Sequence, residues 1–211
     1  MILYPKIDTL FVRDDKTHKL VEPLVLRRPI MEHISHWICT EKIDGTNIRI
    51  ECDTTGNVSE SGRTNNAQLP ADLVRWCYEK FTPEKMAELK TEPVTLTIFG
   101  EGYGAGIQKG GNYREDKSVI LFDACVTVND RNHWLSDNTV TDFASRLGVD
   151  RVPRLKAMRL DEIVSNVRLG FHSLIPGSNC LAEGIVARTI EPLYDRRGDR
   201  LILKLKTKDF S

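Results

Sequence analysis

A bilayer span needs about 18 or more consecutive apolar residues, and no such run occurs among the 211 residues of this chain. The opening stretch, MILYPKIDTLFVRDD, lacks the basic, apolar and small-residue regions of a secretory leader. A soluble, intracellular, cytoplasmic protein is therefore expected. Paired CxxC spacings are missing too: Cys39, Cys52, Cys77, Cys125 and Cys180 are odd in number and scattered, which suits reduced core thiols and not a disulfide framework or a metal knuckle. His33 and His36 have no cysteine or third histidine beside them to complete a zinc site. Net charge is absent, with 30 Lys+Arg against 30 Asp+Glu, which excludes a uniformly basic footprint for nucleic acid. The distribution is uneven, however. Residues 151–211 carry 12 basic against 7 acidic side chains, a balance of +5, which leaves −5 for residues 1–150. A local phosphate-binding surface is compatible with that asymmetry. Repeats, low-complexity tracts and Gly/Ser linkers are also missing, so the chain reads as one continuous domain, 1–211, with 40% apolar residues to build its core.

What is present is a run of short segments rich in β-branched and aromatic residues and bounded by turn formers. Strands are expected at 36–42, 46–52, 94–100, 118–128, 181–188 and 201–207. Helical periodicity appears at 69–81, 83–89, 139–147 and 160–169. Strands outnumber helices and do not alternate with them, which argues against a doubly wound parallel sheet. The expected fold class is α+β, with mixed, largely antiparallel sheets flanked by helices.

Six local patterns carry chemistry. TEKIDGTN at 40–47 runs from a strand through a glycine turn into another strand and reads as a hairpin at a pocket wall. Alternation would set Lys42 and Asp44 to one side and Glu41 and Ile43 to the other. Ser61, Gly62 and Arg63 form a polar turn with a fixed cation. In IFGEGYGAGIQKGGNYR, Glu101 closes an apolar strand and a glycine-rich loop follows; with no helix behind it, the loop reads as ligand-facing and not as a dinucleotide fingerprint. Phe122 lies within the apolar strand ILFDA. Glu183 starts the strand EGIV, and an acid there calls for a cation or metal partner. In LKLKTKDF, Lys204 and Lys206 share one strand face while Leu203 and Leu205 share the other.

In this order the motifs EKIDGTN, FGEGYG with IQKGGNY, ILFDA, AEGIVAR and LKLKTKDF resemble the covalent nucleotidyltransferase superfamily of ATP-dependent DNA ligases, RNA ligases and mRNA capping enzymes. They are most similar to RNA ligases of the T4 RNA ligase 2 type and related phage and bacterial enzymes. The resemblance spans about residues 36–210. It implies an ATP-grasp-like nucleotidyltransferase (adenylyltransferase) domain that forms lysyl-AMP, passes AMP to a 5′-phosphate and joins that end to a 3′-OH, using ATP with Mg2+ or Mn2+. Lys42 would be the nucleophile. Glu41 would approach the adenine edge, Phe122 would stack on the base, and Arg63 and Glu101 would hold the ribose. Glu183 would help bind the metal, and Lys204 and Lys206 would grip the α-phosphate. Asp44 would orient Lys42 or hold metal-bound water. Asn47 matches the RNA ligase pattern where DNA ligases and capping enzymes usually show arginine, which points to RNA as partner. A DNA ligase and a non-sealing binding subunit are the competing readings.

The chain departs from many ligases in one respect. Residues 1–35 form a short N-terminal extension, and after LKLKTKDF only Ser211 follows, so neither an OB-fold nor another C-terminal domain is expected. Nucleic-acid contacts would then fall to Lys109, Tyr113 and Arg114 in the 102–114 loop, to Arg27 and Arg28, or to the basic last quarter.

Overall fold

Period-2 alternation sorts each strand of the chain into an apolar and a polar face, and two separate sheets form from it in a computed structural model that describes residues 2–64, 66–108 and 112–210. The fold is α+β, as expected, and the chain divides into two compact units, each with its own core.

The first unit comprises residues 2–4 and Asp44–Val152. Its strands are β3 (Thr46–Cys52), β4 (Val58–Ser61), β5 (Thr95–Tyr103), β6 (Ser118–Val128), β7 (Arg131–Trp134) and β8 (Asp150–Arg151). The sheet order is β4-β3-β5-β6-β7, antiparallel throughout, with the short β8 added parallel to β6. One face presents Ile48, Ile50, Leu96, Ile98, Val119 and Leu121 to a core shared with α1 (Ala71–Lys80), α2 (Pro83–Glu88) and α3 (Asp137–Leu147). The helices begin and end where their caps dictate. Ser136 accepts from the Thr139 N–H at the start of α3, and Gly148 ends it in the left-handed region at φ 64°. The opposite face carries Asn47, Arg49, Thr97, Phe99 and Glu101, because these alternate with the core positions.

The second unit comprises Pro5–Ile43 and residues 153–210. Its sheet, in the order β1-β10-β9-β2, is built from β1 (Asp8–Thr9), β2 (Trp37–Lys42), β9 (Gly184–Thr189) and β10 (Ile202–Lys206); only the β1 pairing is parallel. Cys39, Ile185, Ala187, Leu203 and Leu205 pack against Ile163 and Val167 of α4 (Leu160–Leu169). Helix α4 starts where the Glu162 carboxylate accepts from the Arg159 N–H at 2.9 Å.

Two expectations are corrected. The KIDG turn does not join a hairpin: β2 pairs with β9 in one sheet, while β3 pairs with β4 and β5 in the other. Glu101 does not close its strand either, since β5 continues through Tyr103 with Gly102 opposite Thr46. Both differences arise because long-range partners supply the hydrogen bonds, and local turn chemistry does not reveal them.

Candidate functional site

In the second unit, one rung of the sheet brings three predicted residues together. Lys42, the last residue of β2, faces Gly184, and Gly184 faces Lys206, the last residue of β10. The two lysines therefore project from the same sheet face, and both reach the carboxylate of Glu183. Lys42 Nζ donates to Oε2 at 2.6 Å, and Lys206 Nζ pairs with Oε1 at 2.5 Å. Glycine at 184 is required: its φ is 155°, and a Cβ there would lie 2.0 Å from the Leu205 carbonyl oxygen. The close approach of β9 to β10 is what brings Glu183 between the lysines. All three side chains are only partly exposed, at 20%, 13% and 22% for Lys42, Glu183 and Lys206. Burial alone would push the Glu183 carboxyl up; the charge of Lys42 and the hydrogen bond from Lys206 outweigh it and hold the group below the usual carboxylate range. Lys204 sits two residues earlier on the same strand face, opposite Val186.

Glu41 is placed differently. It pairs with Ile185, and that position projects to the core side of the sheet. Its carboxylate is 1% exposed and accepts from the Leu174 N–H at 2.7 Å, so it holds the 173–175 turn and does not join the Lys42 rung. Burial raises its pKa against the opposing hydrogen bonds from Ser173 and Leu174.

In the first unit, the second sheet face gathers Asn47 and Glu101 as cross-strand partners. Asn47 Oδ1 is buried without a hydrogen bond among the described residues, a costly arrangement unless a further donor satisfies it. Asp44 donates its backbone N–H to the Tyr113 hydroxyl at 3.3 Å, which ties the KIDG turn to the glycine-rich loop. Arg63 is exposed and directly follows Gly62. Phe122 is the extra residue of a β-bulge, for Phe99 faces Asp123 while Gly100 faces Leu121. The bulge leaves Phe122 part-exposed, with its ring edge-on to Tyr4 at 5.0 Å between centroids.

Sequence reasoning missed Arg49 and Tyr4. Arg49 is 0% exposed; its Nε donates to the Gly62 carbonyl at 2.8 Å and its Nη1 to the Ile2 carbonyl at 3.0 Å. The Tyr4 hydroxyl donates to Asp123 at 2.8 Å. An arginine at a strictly alternating position between Ile48 and Ile50 was the available signal. Of the arginines expected on nucleic acid, Arg27 pairs with Asp8, Arg28 with Asp8 and Asp195, and Arg114 with Asp116 and Asp150. Lys109 lies outside the described residues.

The chain is similar to solved RNA ligases from Naegleria gruberi. One, an apo lysine-to-alanine mutant of RNA ligase R4a, has a TM-score of 0.65 at 19% identity, over 86% of this chain and 53% of that one. A second, a mutant solved with ATP and Mn, has 0.67 at 17%, over 99% of this chain and 61% of that one. A third, solved with PPi, has 0.66 at 18%, over 98% and 62%. At such identities the likeness shows a shared fold, and the chain spans between half and two thirds of the length of these relatives. The family model for RNA ligase matches residues 35–206, which contain the Lys42 rung and the polar face of the first unit alike. With that match over most of its length, the chain belongs to the RNA ligase family.

Proposed function

We propose that this chain is the catalytic core of an ATP-dependent RNA ligase that charges Lys42 with AMP. The observation that carries the reading is the Lys42–Glu183–Lys206 cluster on one sheet face of an RNA ligase family member. A lysine that attacks phosphorus needs anion-binding groups beside it, and Lys206 and Lys204 occupy that face. Lys42 Nζ attacks the α-phosphorus of ATP, an N–P bond forms, the bond from that phosphorus to the bridging oxygen breaks, and pyrophosphate leaves with the electron pair. The Lys42 ammonium gives up one proton to water before the attack and a second as the N–P bond forms, taken up by solvent or the departing pyrophosphate. Glu183 is a poor candidate to take either, because a carboxylate held below its usual range is a weak base. In the structure it holds the two ammonium groups in place.

Among the described residues no three His, Cys, Asp or Glu side chains gather as a metal cage. The donor set nevertheless fits Mg2+ or Mn2+, since such ions are commonly held by one or two carboxylates together with substrate phosphates and water. Glu183 is the carboxylate that would hold the ion, which when bound neutralises phosphate charge. The N. gruberi proteins solved with ATP and Mn or AMP and Mn support the use of a nucleotide and a divalent ion by family likeness. On the first unit, Asn47 and Glu101 would recognise sugar hydroxyls with Arg63, and Phe122 would pack against the base. Asp44 would orient the turn that follows Lys42. Glu41 holds the 173–175 turn through Oε2, and its Oε1, without a hydrogen-bond partner among the described residues, would approach the adenine edge.

The adenylated Lys42 would pass AMP to an RNA 5′-phosphate, which then joins a 3′-OH. Incubation with Mg2+ and ATP labelled at the α-phosphate, followed by a denaturing gel, tests the core claim. A labelled band in the wild type that vanishes in Lys42→Ala is expected. A folded wild-type protein that takes up no label would remove the reading.

A further inference from the structure

We propose that Arg49 is a positioning residue that locks the nucleotide-recognition face of the first unit, by tying the turn before Arg63 and the N-terminal segment 2–4 to a single buried guanidinium. The inference rests on the nucleotide reading above and extends it to a residue whose side chain touches no reacting atom.

Three remote pieces of chain converge on this sheet face. The first is the 61–63 turn: Arg49 Nε donates to the Gly62 carbonyl, one residue before Arg63, so the guanidinium sets where the exposed arginine leaves the sheet. The second is the N-terminal segment, held when Arg49 Nη1 donates to the Ile2 carbonyl. The third is the Phe122 bulge. Tyr4, two residues after Ile2, donates to Asp123 and lays its ring edge-on against Phe122 and Phe99, at 5.0 and 4.9 Å between centroids. Trp134 completes the cluster, 5.6 Å from Tyr4 and 5.5 Å from Phe99.

A bulged residue lacks the ladder bonds that fix its neighbours, so its side chain needs support from packing. Tyr4 provides that support, and Arg49 holds the segment that carries Tyr4. Arginine suits this position because its planar fork offers separate donors in fixed directions and stays charged when buried. A lysine there would have to serve both carbonyls from a single nitrogen, without the separated donors of the guanidinium. The face so organised contains Asn47 and Glu101, neighbours of Arg49 along β3 and across to β5.

The test compares Arg49→Lys, Arg49→Met and Tyr4→Phe with the wild type in two readouts. In self-adenylation, an ATP KM raised about tenfold for Arg49→Lys, more for Arg49→Met and about threefold for Tyr4→Phe is expected, with kcat little changed, as loss of one or two net hydrogen bonds predicts. In the second readout each substitution is placed on Lys42→Ala and ATP affinity is measured by calorimetry, with the same order expected and no chemistry involved. Tyr4→Phe removes a single hydroxyl, so it decides the matter if the Arg49 variants do not fold. Variants that melt at lower temperature yet keep wild-type KM and ATP affinity would give Arg49 a purely structural role and overturn the inference alone. Failure of Lys42→Ala to bind ATP at all would overturn this inference and the proposed function together.

Discussion

Glu41 is a buried carboxylate and Glu183 a partly buried one, and their surroundings drive them in opposite directions. Two ammonium groups hold Glu183 below its ordinary value of 4.5, so the stability it contributes is present above that pH and is lost as pH falls through its folded value. Glu41 is held above 4.5 by burial; the native state binds its proton more tightly, so its contribution is fully present below pH 4.5 and is lost as pH rises through the folded value. Glu41→Gln keeps the acceptor for the Leu174 N–H without the charge. The variant is expected to gain thermal stability relative to wild type at pH 7 but not at pH 4, and an equal difference at both pH values in calorimetry would refute the sign. Glu183→Gln leaves two lysines without their counter-charge. A loss of self-adenylation of about 100-fold is expected, the scale of removing one preorganised electrostatic group, with the folded protein confirmed by circular dichroism. A variant that adenylates at the wild-type rate would contradict the assignment.

At the scale of elements, β3, β6 and α4 have the bounds that alternation and helical period indicate, since each buries one face against a continuous core. The strands β1, β4, β7 and β8 escaped that reading; none is longer than four residues, too short for a period to show. The Phe122 bulge was equally hidden, because an extra residue in a ladder is defined by its partner strand and leaves the apolar run ILFDA unbroken. Gly184 is the element-level feature with the sharpest consequence. Gly184→Ala would press a Cβ against the Leu205 carbonyl and demand an unfavourable φ. We expect a cost of about 2–4 kcal/mol in denaturant unfolding, together with loss of adenylation as β10 and Lys206 move away. Retention of both would show that the backbone relaxes without disturbing the rung.

Over the whole molecule, the five cysteines are free thiols, as their spacing indicated, and four of them are buried. Burial pushes the Cys39 and Cys77 thiols up to about 12, while Cys180, at intermediate exposure, is raised by burial and the nearby Glu41 charge. Under native conditions a thiol reagent is expected to label one site, Cys180, ahead of the rest; early modification of Cys39 or Cys77, located by peptide mapping, would contradict the packing of the two cores. Substrate choice also belongs to this scale. Asn47 stands where DNA ligases usually carry arginine, so a nick ending in a ribose 3′-OH is expected to be sealed faster than the all-DNA nick, and equal rates would set that expectation aside.

The sequence by itself determined the α+β class, most element bounds and the order of the six motifs, because alternation, caps and glycine turns are written within a few residues of where they act. It also marked Lys42, Glu183 and Lys206 as chemically active types. Tertiary structure decided which of them meet. The rung joining Lys42 to Lys206 through Gly184 spans three strands remote in sequence, and the separate destinations of Lys42 and Glu41 follow from which sheet face each one meets. The role of Arg49 was likewise decided by folding: a cation between two isoleucines is isolated in the chain, and becomes a two-carbonyl anchor only when residues 2–4 and the 61–63 turn arrive beside it to replace the water it has lost.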